Sequence, residues 1–546
     1  MPPTRREFLQ AGAVAAAGLC LPRVARSLPR GSRSADFQPT WASLAQYQTP
    51  DWFRDAKFGM WAHWGPQCVP EYGDWYARNM YIPGQRQYVA HLARYGHPSK
   101  AGFKDIIHQW RAEEWRPDDL VALYKSAGAQ YFMALANHHD NMDLWDSKHQ
   151  PWNSVRVGPK KDLVGGWARA TRRAGMRFGV SVHASRAWSW YEVAQGADKD
   201  GPMAGVPYDG KLTRAQGKGQ WWDGLDPQDL YEQRHAPGRQ LEWDWDVSKG
   251  SSVPDRAYCE RYFARTIDLI DRYQPDVLYF DDHRLPLDPV SDVGLRIAAH
   301  FYNTNMQRHG GRLEAVLTGK VLNEEQRKCM VWDIERGAAT DVMPLPWQTD
   351  TCIGDWHYSR PVLARHGYKS AQMVAQMLVD IVSKNGNLML NIPLPGSGTP
   401  DDDELAFVAD FGRWMNANSR AIYASRPWAL FGEGPSVKAQ EPLRAQGFNE
   451  GRNKPYTSED LRFVQKAGKL YAFALAWPEN GVLTIRSLAT GAPHAAGQVE
   501  RVELLGASAP LEQTRTAEGL TIKLPERRPG DYVYTFEISG RGLVAG

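Results

Sequence analysis

The chain is expected to form an irregular (β/α)8 TIM-like barrel followed by a C-terminal antiparallel β-sandwich. Three observations predict this α/β class. Short apolar runs alternate with helical patterns from residue 46 to about 430. Several of those runs end abruptly on polar side chains. Beyond about 430 the long helical patterns stop, and short β-rich runs follow one another between turn residues.

Phe58-Gly59-Met60-Trp61-Ala62 is the first run, and it ends at His63-Trp64-Gly65. Tyr131 to Ala136 ends at Asn137-His138-His139-Asp140. Val277-Leu278-Tyr279-Phe280 ends at Asp281-Asp282, and Val331-Trp332-Asp333-Ile334 ends at Glu335-Arg336. Runs this short without polar alternation read as strands buried on both faces. Eight such strands are expected, near 58–64, 131–137, 176–182, 276–281, 313–318, 330–335, 347–352 and 387–392. Helical segments are expected at 117–127, 163–174, 258–273, 289–308 and 370–384. The last sets Ala371, Val374, Ala375, Leu378 and Val382 on one face, with Gly386 just past its end. Eight strands with intervening helices predict the barrel. The links between strands five, six and seven are too short for full helices, so its second half should be irregular. The sandwich, placed at 435–546, rests on runs such as Leu461–Gln465, Lys469–Trp477, Val499–Leu505 and Tyr532–Ile538.

Residues 1–25 read as an export segment. Thr4-Arg5-Arg6-Glu7-Phe8-Leu9-Gln10 is a twin-arginine pattern, and the apolar run from Ala11 to Leu21 is too short for a permanent membrane span. Cleavage is expected near Ala25, and the Arg-, Ser- and Pro-rich residues 26–45 read as a linker before a domain at 46–430. The expected location is periplasmic or secreted. A net charge of +3 offers no electrostatic case for nucleic acid or for a membrane surface after signal removal. Five cysteines without C-x-x-C spacing argue against zinc, and no metal or cofactor is expected. An exported protein could pair the four beyond the leader. The 22 tryptophans suit stacking on sugar rings and also suit a core. Oligomeric state is not legible.

A carboxylate where a buried strand ends sits at the mouth of an α/β core. Asp281 is therefore the leading nucleophile candidate. Adjacent residues on a strand diverge, so Asp282 should point elsewhere. Glu335, also at a strand end, is the leading proton donor, with Arg336 as a competing ion-pair partner. His63, His138 and His139 offer hydrogen bonds to hydroxyls. Asp74 adds an acceptor, while Trp75, Trp347 and Trp356 add flat aromatic walls.

These residues carry a resemblance to the family 29 glycoside hydrolases, the retaining α-L-fucosidases. The segments are Trp52–Gly65, His138–Ser147 with Gly158–Asp162, Pro275–Asp281, Val382–Asn391 and Ala421–Trp428. The resemblance implies a barrel followed by a sandwich, a fucosylated oligosaccharide or glycoconjugate as substrate, and a covalent fucosyl-enzyme on Asp281. It also implies that His63, His138 and His139 bind fucose hydroxyls and that Trp75 lines the pocket. The chain departs from the family pattern at Asp282, where Gly is usual, at Asp74, where Glu is common, and at Gln348, where many relatives carry Glu. Two alternatives stand beside this reading: the same mechanism on a related sugar such as α-L-galactose, and a non-catalytic glycan-binding protein.

Overall fold

The computed structural model describes residues 36–544, apart from 240, 242, 244, 441, 444–446 and 452–454. The expected export segment and the first part of the linker lie outside the described residues. The rest of that linker is packed. Phe37 is buried, its N–H donates to the Asn303 side chain at 2.8 Å, and its ring meets Tyr302.

Eight parallel strands close into a barrel in sequence order: β1 (Phe58–Ala62), β2 (Tyr131–Asn137), β3 (Arg177–Val182), β4 (Val277–His283), β5 (Val316–Lys320), β6 (Val331–Glu335), β7 (Trp347–Cys352) and β8 (Gly386–Asn391). β8 pairs back on β1, with Trp61 opposite Asn391. Every residue of β1, β2, β5, β7 and β8 is buried, as strands covered by helices outside and side chains inside must be. Helices Pro117–Ser126, Leu163–Arg173, Arg256–Tyr273, Val293–Arg308 and Ala371–Ser383 supply the outer layer. The irregular half is as expected. A single 3-10 turn, Gln326–Lys328, lies between β5 and β6, and no helix lies between β6 and β7.

Helix Asp402–Ile422 leaves the barrel. Its N-terminus is closed by a reciprocal pair of bonds between Asp401 and Glu404. The next strand, β9 (Arg426–Glu433), already belongs to the sandwich, so the sandwich begins earlier than 435. One sheet runs β13-β16-β11-β10-β9 and the other β12-β15-β14, with β10 at Leu461–Lys466, β11 at Lys469–Ala474, β12 at Val482–Ile485, β13 at Gln498–Leu504, β14 at Gln513–Arg515, β15 at Leu520–Lys523 and β16 at Tyr534–Arg541. Alternation splits β10 between two cores. Leu461 and Phe463 face the other sheet, while Val464 joins the core shared with the barrel. Arg462 is buried at this junction and pairs with Asp380 at 2.5 Å, and Lys384 pairs with the same carboxylate at 2.8 Å. Burial would raise Asp380, but the two cations outweigh it and hold the carboxyl below its ordinary range.

Cys68, Cys259, Cys329 and Cys352 are buried, free thiols, so no disulfide forms among them. Among the described residues, no helix is long and apolar enough to cross a membrane.

Candidate active site

The barrel's C-terminal rim gathers the chemistry. On β4 the side chains of Tyr279 and Asp281 share the inward face, and so do Asp333 and Glu335 on β6 and Gln348 and Asp350 on β7. A polar ladder results. The Tyr131 hydroxyl donates to Gln348 at 2.9 Å, the Gln348 amide donates to Asp333 at 2.7 Å, and the Tyr279 hydroxyl donates to Asp350 at 2.7 Å. Above this ladder lies a cavity of about 170 Å³. That is below the roughly 300–1,000 Å³ of pockets for drug-sized ligands, so it suits a small, compact group rather than an extended one.

Lys320, the last residue of β5, is buried at the floor. Its ammonium donates to Asp281 Oδ1 at 2.8 Å and to Glu335 Oε2 at 2.7 Å. Asp350 lies 3.7 Å away. Burial alone would lift the Asp281 carboxyl, but Lys320 and bonds from His139 and His183 hold it well below the ordinary range. Glu335 goes the other way. Burial pushes it up to about 7, with Lys320 pulling down and Asp350 and Asp281 pushing up. Burial would lower Lys320, yet Asp281, Asp350 and Glu335 keep it well above its ordinary value. One carboxyl is thus kept ionised and its neighbour can hold a proton near neutrality, which is the division an acid/base pair requires.

Asp282 diverges from Asp281 as strand geometry demands. It accepts from Ser185 Oγ at 2.5 Å and from the fully buried Arg186 at 2.8 Å. Burial raises its carboxyl, and Arg186 offsets part of that.

The histidines fall into two groups. His183 donates from Nδ1 to Asp281 Oδ2 at 3.1 Å, and His139 Nε2 lies 3.4 Å from the same oxygen. His139 Nδ1–H donates to the His183 carbonyl at 2.7 Å. The His139 ring thus sits between the His183 carbonyl and Asp281, behind the residues that line the cavity. His63 and His138 line the cavity. Gln67 Nε2–H donates to His138 Nδ1 at 2.8 Å and to Asp140 at 3.1 Å, while Gln67 Oε1 accepts from the Ala77 N–H. That orientation places the His138 proton on Nε2. His63, His138 and His357 bring ring nitrogens within 4.8 Å of one another, the spacing of a metal site. His138, His139 and His183 make a second such trio. With its proton on Nε2, His138 presents a hydrogen-bond donor rather than a lone pair at that nitrogen. Burial holds His63 and His138 well below the usual imidazole range and His183 at about 4, so all three stay neutral near pH 7.

Asp74 lines the cavity and accepts from His357 Nδ1–H at 2.9 Å. Trp75 sits beside it in a left-handed conformation, φ 58°, and lines the same cavity. Asn391, at the end of β8, accepts from the His63 N–H at 2.8 Å and donates to the Trp356 carbonyl at 2.9 Å, fixing two walls at once. Trp347 lies in the core instead, its indole N–H donating to Lys384 O.

Seven of the nine expected site residues line one cavity, His139 touches it through Asp281, and Trp347 does not reach it. Sequence reasoning missed Lys320, His183 and Asp350, although each stands at or just beyond a strand's C-terminal end, as Asp281 and Glu335 do. Trp243 and Phe448 also line the cavity, and no strand-end signal marks them. Phe448 comes from the connection between β9 and β10, within the region assigned to the sandwich.

A family model for α-L-fucosidase matches residues 27–420, and one for the α-L-fucosidase C-terminal domain matches 453–539. The chain belongs to the α-L-fucosidase family. Among curated family relatives, the tissue α-L-fucosidase of Homo sapiens is 25% identical over 534 residues, with 94% of each chain covered. That of Macaca fascicularis is 26% identical over 526 residues, again with 94% of each covered. Among solved structures, the Thermotoga maritima α-fucosidase superposes with a TM-score of 0.65 at 23% identity, covering 92% of this chain and all of that one. Isoenzyme 1 from Paenibacillus thiaminolyticus gives 0.61 at 20% identity, covering 91% and 100%. These two establish the shared fold, a TIM-like barrel with a C-terminal β domain.

Proposed function

We propose that this family member is a retaining α-L-fucosidase, in which Asp281 attacks the anomeric carbon and Glu335 protonates the leaving oxygen. The observation that carries this reading is the shared ammonium of Lys320, bonded to Asp281 at 2.8 Å and to Glu335 at 2.7 Å. Two oxygens on one nitrogen at those distances suit the about 5–5.5 Å carboxyl spacing of retaining enzymes better than the roughly 6.5–9.5 Å of inverting ones. In the first step the Asp281 oxygen bonds to the anomeric carbon, the glycosidic bond breaks, and the Glu335 proton goes to the departing oxygen. In the second, ionised Glu335 takes a proton from water, water attacks the same carbon, and Asp281 is released. Esterified Asp281 no longer carries charge, so Lys320 then serves Glu335 more fully and favours its ionised form. His63 and His138 bond sugar hydroxyls, and Trp61, Trp75, Trp243 and Trp356 offer an apolar wall to the C6 methyl group.

Turnover of an aryl α-L-fucoside against the matching α-L-galactoside, by wild type and Asp281→Asn, tests the reading. Fucoside preference and near-abolition in the variant are expected. Preference for the galactoside would move the assignment to that sugar, and unchanged turnover in Asp281→Asn would remove Asp281 as nucleophile. Nuclear magnetic resonance of the first-formed sugar should show the α-anomer.

Export by the twin-arginine route, to the periplasm or beyond, is part of the same proposal and rests on Arg5-Arg6 and the short apolar run after them. Replacing both arginines by lysine should retain the protein in the cytoplasm of a twin-arginine-competent bacterium.

A further inference from the structure

We infer that the groove between the barrel mouth and the β9–β10 connection binds the departing part of the substrate, a run of pyranose rings. The inference rests on Glu335 as the acid. The leaving oxygen must meet the Glu335 proton, so the rest of the glycan extends over the Glu335 side of the cavity.

On that side the barrel is joined by a segment of the second domain. Phe448 N–H donates to the Glu335 carbonyl at 2.8 Å, and Glu450 N–H donates to the Arg336 carbonyl at 3.0 Å. The Asn449 side chain accepts from Ala338 N–H at 2.9 Å and donates to Ala338 O at 3.2 Å. Residues 447–450 therefore run beside 335–338 like an added parallel strand. Gly447 allows the approach. Its φ is +111°, and a Cβ there would lie 2.2 Å from the Glu335 carbonyl oxygen.

This stitching sets the Phe448 ring, 40% exposed, between two spaces. It lines the catalytic cavity, and it also lines a groove of about 680 Å³ outside it. The cavity suits a compact group, while the groove falls in the size range that encloses larger ligands, roughly 300–1,000 Å³. Its chemistry is that of a carbohydrate site: aromatic faces from Phe448 and Tyr456, and amide groups from Gln372 and Gln376. Cations outnumber carboxylates along it: Glu450 is shared by Arg336 at 3.4 Å and Lys369 at 3.0 Å, and Asp380 is shared by Lys384 and Arg462.

The test compares kcat/KM on α-L-fucosyl fluoride, whose leaving group has no ring, with kcat/KM on a neutral fucosylated trisaccharide. Wild type, Phe448→Ala and the exposed groove variant Gln372→Ala are measured, with folding followed by thermal unfolding. Loss of the Phe448 ring should lower the trisaccharide-to-fluoride ratio about 10- to 100-fold. Gln372→Ala should lower it about 3- to 10-fold, with activity on the fluoride unchanged. A ratio unchanged in both variants overturns the inference and leaves the fucosidase reading standing. Failure of wild type to hydrolyse the fluoride overturns the fucosidase reading, and this inference with it.

Discussion

The Lys320 ammonium lies 2.7 Å from Glu335, and the same nitrogen lies 2.8 Å from Asp281. One buried cation thus serves two carboxyl groups with opposite tasks. It helps keep Asp281 ionised, while burial keeps Glu335 able to hold a proton at about 7. The protons of such a set belong to the group as a whole, so its titration should be read as one system.

Removal of that cation should move the pH profile in a definite direction. A nearby positive charge lowers carboxyl pKa values, so Lys320→Met should raise both. Wild-type kcat/KM should fall above about pH 7 as Glu335 loses its proton. In the variant that basic limb should move upward. The acidic limb, where Asp281 takes up a proton, should move upward as well. Profiles of kcat/KM on a fucoside with a poor, alkoxide leaving group, which needs the Glu335 proton, check this, and a profile unmoved by Lys320→Met would contradict the shared-cation account.

Loss of the Glu335 carboxyl should depend on the leaving group. Glu335→Ala should slow natural glycans by about 10²–10⁴-fold, because their alkoxide must be protonated as it departs. Activated aryl fucosides should suffer far less in the first step. They should accumulate a fucosyl-enzyme that azide, which needs no general base, releases as the fucosyl azide. Equal losses on both substrate types would exclude Glu335 and turn attention to Asp350, 3.7 Å from Lys320.

Gly447→Ala should injure the active site from the second domain. The new Cβ has no room beside the Glu335 carbonyl, and φ +111° is strained for alanine. Destabilisation of about 2–3 kcal/mol is expected, with turnover falling as Glu335 shifts. Thermal unfolding and kcat together check this. An unchanged kcat would show that the stitching does not hold the acid.

Arg186→Met should be costly for a different reason. Arg186 and Asp282 are both fully buried and bonded at 2.8 Å. Removing the cation leaves an uncompensated buried carboxylate, which costs about 3–5 kcal/mol. Adding Asp282→Leu should recover much of that loss in denaturant titrations, because an apolar pair leaves no unpaired charge.

The sequence by itself determined the strands and what stands at their ends. Runs such as Tyr131–Ala136 and Val277–Phe280 are apolar at every position, and that pattern follows from burial on both faces of a parallel barrel. His63, His138, Asp281 and Glu335 were legible because each follows such a run. The tertiary structure alone decided how these groups act on one another. Lys320 becomes the link between Asp281 and Glu335 only when β4, β5 and β6 lie side by side. His139 meets Asp281 only because β2, β3 and β4 lie side by side, setting its ring between the His183 carbonyl and that carboxylate, and Asp74 acquires His357 from a residue 283 positions away. Phe448 carries no local signal of its role. It reaches the cavity because the sandwich docks through Asp380 and Arg462 and returns residues 447–450 to the end of β6. Periodicity records which face of an element is buried. It does not record which distant element comes to lie against that face, because that is settled by packing and by hydrogen bonds between segments far apart in the chain.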